Sequence, residues 1–244
     1  MSSREFSTFT KSNLDTYLKE LAKEYRRLGG KKMPAELILI GGASVLINYG
    51  FRNMTTDIDA LFQAASTMKE AINRVGDRFD LPAGWLNDDF RKTGSYTPKL
   101  VQYSTFYKNF YGVMSVRTVS AEYLIAMKLL SGRQYKHDLS DIVGILAEHK
   151  DSDNPITMDM ISKAVSDLYG EWDVLPDTSK AFITDVMYNG DYDSIREEIM
   201  TEEKETKDAL VEFEKNNPGV ANRESFATIV SQLKKRRVKN GKTI

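Results

Sequence analysis

Leu14, Leu18, Leu21, Tyr25 and Leu28 recur three or four residues apart, with charged and polar side chains between them. That spacing sets one apolar stripe on a 3.6-residue period and predicts an amphipathic helix over 13–28, capped by Ser12 and closed by Gly29-Gly30. The period then changes. "ELILI" is a continuous apolar run and reads as a buried strand, "ASVLINY" as a short helix closed by Gly50, and "TTDIDALF" as a second strand. Residues 67–76 return to a helical pattern. "DRFDLPAGWLNDDFRKTGSYTP" is interrupted by Pro82, Gly84, Gly94 and Pro98 and is expected to be a long, partly ordered connection. "LVQYSTFY" and "GVMSVRTV" supply two further strands. Ser120 is placed to cap the helix "AEYLIAMKLLS", which ends at Gly132; "DLSDIVGILAEH" forms another, with Leu139, Ile142, Val143, Ile145 and Leu146 inward.

The polar segment "KDSDNPIT" breaks this order, and beyond it the pattern is helical, with helices expected at 157–169, 176–188, 191–215 and 222–236. The expected organisation is therefore an α/β core over 1–150, a small mixed sheet flanked by helices, followed by an all-helical region over 151–244.

Composition narrows the function classes. Lys plus Arg total 34 against 35 Asp plus Glu, so the net charge of -1 excludes a uniformly basic nucleic-acid binder and makes any polyanion site regional. The absence of cysteine removes disulfides, thiolate metal ligands and a cysteine nucleophile, and suits a reducing compartment. His137 and His149 are the only imidazoles. No leader-like apolar region and no membrane-length apolar run is visible, so a soluble, cytoplasmic protein without membrane contact is expected. The terminal "KKRRVKNGK" reads either as a solvated tail or as a contact for RNA or a partner.

Two short features carry candidate chemistry. Gly41-Gly42 lie where a strand turns into a helix; glycine lets backbone amides approach a ligand closely, and a helix N-terminus favours an anion such as a triphosphate. Ser44, in the first helical turn, either offers a hydroxyl to a phosphate or satisfies a free amide. Asp57 and Asp59, two residues apart on a strand, emerge on one face, and hard oxygen ligands held that close select Mg²⁺ or Mn²⁺.

Strand, Gly-Gly, short helix and then Asp-x-Asp on the next strand resembles the signature of the polymerase-beta-type nucleotidyltransferase superfamily. "LILIGGASVLINYGFRNMTTDIDALF" followed by "SAEYLIAMKLLSGRQYKHDLSDIVGIL" is similar to the abortive-infection (AbiEii-like) and related bacterial nucleotidyltransferases, which include toxins of toxin–antitoxin pairs. The resemblance implies that Gly41, Gly42 and Ser44 hold an NTP and that Asp57 and Asp59 bind Mg²⁺ or Mn²⁺. It further implies a hydroxyl at Thr56 beside the site, a phosphate contact from Lys128, and polar roles near the site for Arg133, Asp138 and, less distinctively, Asp141.

The same residues have plainer explanations. Lys128 also fits a snorkelling surface lysine. Asp138 and Asp141 fit a helix cap and a dipole-complementing charge, which is the preferred account of Asp141. Trp85 is expected to anchor a loop on the core. "GVMSVRTV" offers Ser115 and Arg117 where many members of the superfamily carry a third carboxylate. Either Asp138 substitutes, or the protein binds nucleotide and transfers poorly. The resemblance thus implies transfer of an NMP from an NTP to a hydroxyl on RNA, tRNA or protein, with a cognate antitoxin or defence-complex protein as partner. The alternative is a non-catalytic nucleotide- or RNA-binding module, or a structural subunit of a defence complex.

Overall fold

A computed structural model describes residues 8–133 and 137–217. Helix α1 (Lys11–Arg27) starts at a reciprocal box: Thr10 Oγ1 accepts from the Asn13 amide at 3.3 Å and the Thr10 amide donates to Asn13 Oδ1 at 2.8 Å. The cap is thus Thr10, not Ser12, because Thr10 has a partner three residues on that returns the bond. Strand β1 (Ala35–Leu39) leads into α2 (Gly41–Asn48), which takes in both glycines and so begins earlier than its apolar residues suggest. Strand β2 (Ile58–Gln63), helix α3 (Thr67–Phe79) and a two-residue strand β3 (Leu86–Asn87) follow. Strands β4 (Ser104–Phe110) and β5 (Met114–Val119) complete a mixed sheet of order β3-β2-β1-β5-β4.

Alternation along the strands sorts the sheet's two faces. Leu37, Leu39, Ile58, Ala60, Met114 and Val116 belong to a core shared with Leu14, Leu18, Leu21 and Tyr25 of α1 and with Ala71 and Val75 of α3. Ile38, Ile40, Leu61 and Val119 face the other way. That face is covered by α4 (Ala121–Ser131) and α5 (Asp138–Asp151), and the same apolar cluster continues into α6 (Met158–Tyr169) and α7 (Asp177–Asn189). The long helix α8 (Tyr192–Asn216) packs along α5. The expected 222–236 helix and the basic run lie outside the described residues.

Two expectations change. The segment after α3 is an ordered edge of the sheet: β3 runs parallel to β2, with Asn87 level with Asp59. Trp85 holds it there, buried to 3% exposure, with its Nε1–H donating to the Ile72 carbonyl at 3.0 Å. Gly76 lies under the indole, where a Cβ would stand 3.2 Å from the ring. Gly and Pro marked the breaks in this stretch, but the aromatic anchor decided its order. In α5, Ile142, Val143, Ile145 and Leu146 are buried as expected, whereas Leu139 is half-buried; the buried positions of the first turn are Asp138, Ser140 and Asp141.

Among the described residues no helix is long and apolar enough to cross a membrane. Removing the indole should open a cavity under the β3 edge. Trp85→Ala is expected to lower the unfolding free energy by about 3–5 kcal/mol, and Trp85→Phe, which keeps most of the apolar volume, by only about 1–2 kcal/mol. Urea denaturation of the two variants checks the order; equal midpoints would remove Trp85 as the anchor.

Candidate active site

The glycine turn and the aspartates meet at one edge of the sheet. Strands β1 and β5 are parallel and β2 is antiparallel to β1, so the ends of β1 and β5 and the start of β2 converge there. Leu39 is level with Ala60 and Thr118, and one residue further the Ile40 amide donates to the Asp59 carbonyl at 2.9 Å. The turn therefore begins beside the second aspartate. Gly41 adopts φ +56°, a left-handed conformation that disfavours side chains, and open space surrounds the position where its Cβ would be. Gly42 is tightly surrounded: a Cβ there would lie 2.6 Å from Thr55 Oγ1 and 3.0 Å from Arg52 Nη2. Ile40 supplies no capping side chain, so the first amides of α2 present the helix's positive end at this edge.

Ile58 and Ala60 are buried toward α1 and α3, so Asp59 faces the opposite side, as Leu61 does, and Asp57 lies immediately before the strand. Asp57 is exposed and Asp59 half-buried. The hydroxyl that touches both Gly42 and Asp57 belongs to Thr55, whose Oγ1 lies 3.2 Å from the Asp57 carbonyl and 3.4 Å from its Oδ1. Thr55 is buried and paired to Phe9 by two backbone bonds of 2.8 and 2.9 Å; Thr56 beside it is exposed. Ser44 is fully buried in α2, and its Oγ has no hydrogen-bond partner among the described residues.

Across β1 from Asp59, the same face carries Val119 and Arg117 on β5. Val119 is buried, and Arg117 donates through Nε to Ser104 Oγ at 2.8 Å and through Nη2 to the Ser104 carbonyl. Ser115 is level with Glu36, further from the edge. Among the described residues no group of three or more His, Asp or Glu side chains is placed to hold a metal ion.

A chain of charges lies under α4 and α5. Lys128 Nζ donates to Asp138 Oδ1 at 2.9 Å and to Asp141 Oδ2 at 2.8 Å. Asp138 also accepts from Arg133 Nε at 2.8 Å, and Asp141 from Arg52 Nη1. Lys128 is not a snorkelling surface lysine: its helix is buried from Tyr123 through Leu129, and its side chain is only 6% exposed. Nor is Asp141 merely a dipole-complementing charge, since it is buried and joins Lys128 to Arg52. Burial opposes the charge on Lys128, but the two carboxylates outweigh it and hold the ammonium above its ordinary range. Burial likewise opposes ionisation of Asp138, and Lys128 with Arg133 hold its carboxyl well below the usual carboxylate range.

Arg52 was missed in the sequence. The signal it left is that it is the only Lys or Arg between Lys32 and Lys69, set midway between the glycines and the aspartates. Its segment is firmly held. Glu148 Oε1 accepts from the Gly50 and Phe51 amides at 2.7 and 3.0 Å, and the Phe51 ring fills the space left by Gly144, where a Cβ would lie 2.7 Å from it. Arg196 of α8 stacks over Phe51 at 4.7 Å and donates to its carbonyl at 3.2 Å.

Because the Asp138 carboxyl is held low, its contribution to stability is present above its unfolded pKa, near 4, and is lost as the pH falls toward its folded value. Asp138→Asn is expected to cost about 3 kcal/mol at neutral pH, since Lys128 keeps one carboxylate, and to flatten the loss of stability below pH 4. Chemical denaturation between pH 2 and 7 measures both; an unchanged acid limb would remove Asp138 as its source.

Comparison with known proteins bears on this arrangement. No curated protein and no solved structure matches the chain. One protein family does, over residues 16–150, more than half of the chain, from within α1 through the glycine turn, the aspartates and nearly all of α5. The chain belongs to that family, described as a nucleotidyltransferase of unknown function (DUF6036).

Proposed function

We propose that the protein transfers a nucleoside monophosphate from an NTP to a hydroxyl acceptor. The acceptor oxygen bonds to the α-phosphorus, the bond from that phosphorus to the bridging oxygen breaks, and pyrophosphate leaves while the hydroxyl gives up its proton. The observation that carries this reading is the hydrogen bond from the Ile40 amide to the Asp59 carbonyl, which joins the glycine turn to the aspartate strand. In this reading the amides of the Gly41-Gly42 turn bind the triphosphate at the start of α2. Thr55 fixes Asp57, and the backbone of β2 fixes Asp59.

Asp57 and Asp59 suit a hard divalent ion, Mg²⁺ or Mn²⁺, which ordinarily completes its shell with phosphate oxygens and water rather than with a full protein cage. When bound, such an ion neutralises phosphate charge and acidifies the attacking hydroxyl. Resemblance of "KLLSGRQYKHD" to the toxin-like branch supports RNA, tRNA or a protein side chain as acceptor, and a role as the toxin of a toxin–antitoxin or phage-defence system with a cognate partner.

A second reading, nucleotide or RNA binding without transfer, draws on Val119 and Arg117, which occupy the row opposite Asp59 where a third carboxylate would complete a two-metal site. It also draws on Asp138, whose carboxylate is engaged by Lys128 and Arg133. One assay separates the two: each labelled NTP in turn with Mg²⁺ and either total RNA or cell-extract protein. Transfer of label is expected, falling at least about 100-fold in Asp57→Ala and Asp59→Ala. Equal transfer by the variants would place the chemistry elsewhere, and binding without transfer by the wild type would favour the second reading.

A further inference from the structure

Lys128 is the cation that resemblance would send to the triphosphate, yet it is the wrong one geometrically. Its ammonium is enclosed between Asp138 and Asp141, and a phosphate reaching it would have to displace both carboxylates from a buried position. Arg52 sits differently. Its side chain is 14% exposed; Nη1 is spent on Asp141 and Nε on the Met54 carbonyl at 3.1 Å. The remaining nitrogen, Nη2, has no hydrogen bond to any described residue and is the atom that lies against Gly42. Its two N–H donors therefore stand next to the uncapped first turn of α2, where backbone amides also lack side-chain acceptors.

Charge points the same way. The chain of ion pairs runs from Arg133 through Asp138, Lys128 and Asp141 to Arg52. Lys128 is closed in between its two carboxylates, and the end of the chain that meets the glycine turn is Arg52. A guanidinium already fixed by a carboxylate and a carbonyl loses little further freedom when its remaining Nη2–H groups donate to a phosphate oxygen. Gly42 is what permits the approach, since any side chain there would push Arg52 and Thr55 away.

We infer that Arg52 is the phosphate-contacting cation of this site, binding the triphosphate of the NTP together with the amides of the Gly41-Gly42 turn. The inference rests on the nucleotide-transfer reading for the identity of the ligand, but not for the existence of the anion site.

Calorimetric titration of the full chain with each of the four NTPs in the presence of Mg²⁺, and separately with inorganic tripolyphosphate, tests it. Wild type, Arg52→Gln and Arg52→Lys are compared, each well below its own melting transition. Arg52→Gln is expected to weaken both ligands roughly 10- to 100-fold, the loss of a charge-assisted hydrogen bond, and Arg52→Lys to fall between it and wild type. If Arg52→Gln does not fold, Arg52→Lys decides alone, because a single ammonium cannot hold Asp141, the Met54 carbonyl and a phosphate from three separate nitrogens. Unchanged affinity for NTP and tripolyphosphate in the folded variants overturns the inference and leaves the nucleotide reading standing. Arg52-dependent binding of tripolyphosphate without binding of any NTP upholds the anion site and removes the nucleotide. Binding of neither by wild type removes both.

Discussion

Lys128 donates to Asp138 and Asp141 from inside the α4–α5 pair, and the geometry of the candidate site depends on that arrangement. An ammonium in an apolar helix must be neutralised in place, since the cost of leaving one charge uncompensated is several kcal/mol. Once two carboxylates on one turn of α5 do so, each has capacity to hold a further cation. Asp138 holds Arg133 at the end of α4, and Asp141 reaches across to Arg52 on the segment between the glycine turn and the aspartates. The pairing contributes orientation more than net stability: it fixes α4 to α5 and fixes the segment between the glycine turn and the aspartates to both.

The helical C-terminal region takes part in the same construction. Glu203 of α8 is buried and accepts from Ser140 Oγ at 2.7 Å and from the Ser140 amide at 3.3 Å, with His137 Nδ1 at 3.1 Å. It satisfies the start of α5, the turn that carries Asp138 and Asp141. Seven residues earlier on the same helix, Arg196 clamps Phe51. One helix thus supports both ends of the Asp141–Arg52 contact, and this links α8 to the glycine-turn edge although it lies beyond the stretch matched by the family.

Much of the architecture was legible from local pattern. Apolar periodicity gave α1 and the helices from α4 through α8, the continuous run "ELILI" gave β1, and strand alternation sets Asp59 on the face opposite buried Ile58. What pattern did not give was the short strand at Leu86–Asn87, since two residues carry no period, or the order of its loop, which depends on Trp85 reaching the Ile72 carbonyl. Thr55 rather than Thr56 meets Asp57 because Phe9, far away in the chain, pairs with Thr55 and sets its direction.

By itself the sequence determined the helix and strand succession, the glycine turn ahead of an Asp-x-Asp strand, and the absence of any thiol chemistry, because each follows from residues within one turn or one strand of each other. Tertiary structure decided which charges face the site and which are consumed inside. Asp141 and Arg52 are 89 residues apart, and Lys128 is assigned to the interior only by the helices that close around it. Electrostatic roles of this kind are set by burial and by partners distant in sequence, and neither is encoded in any local spacing.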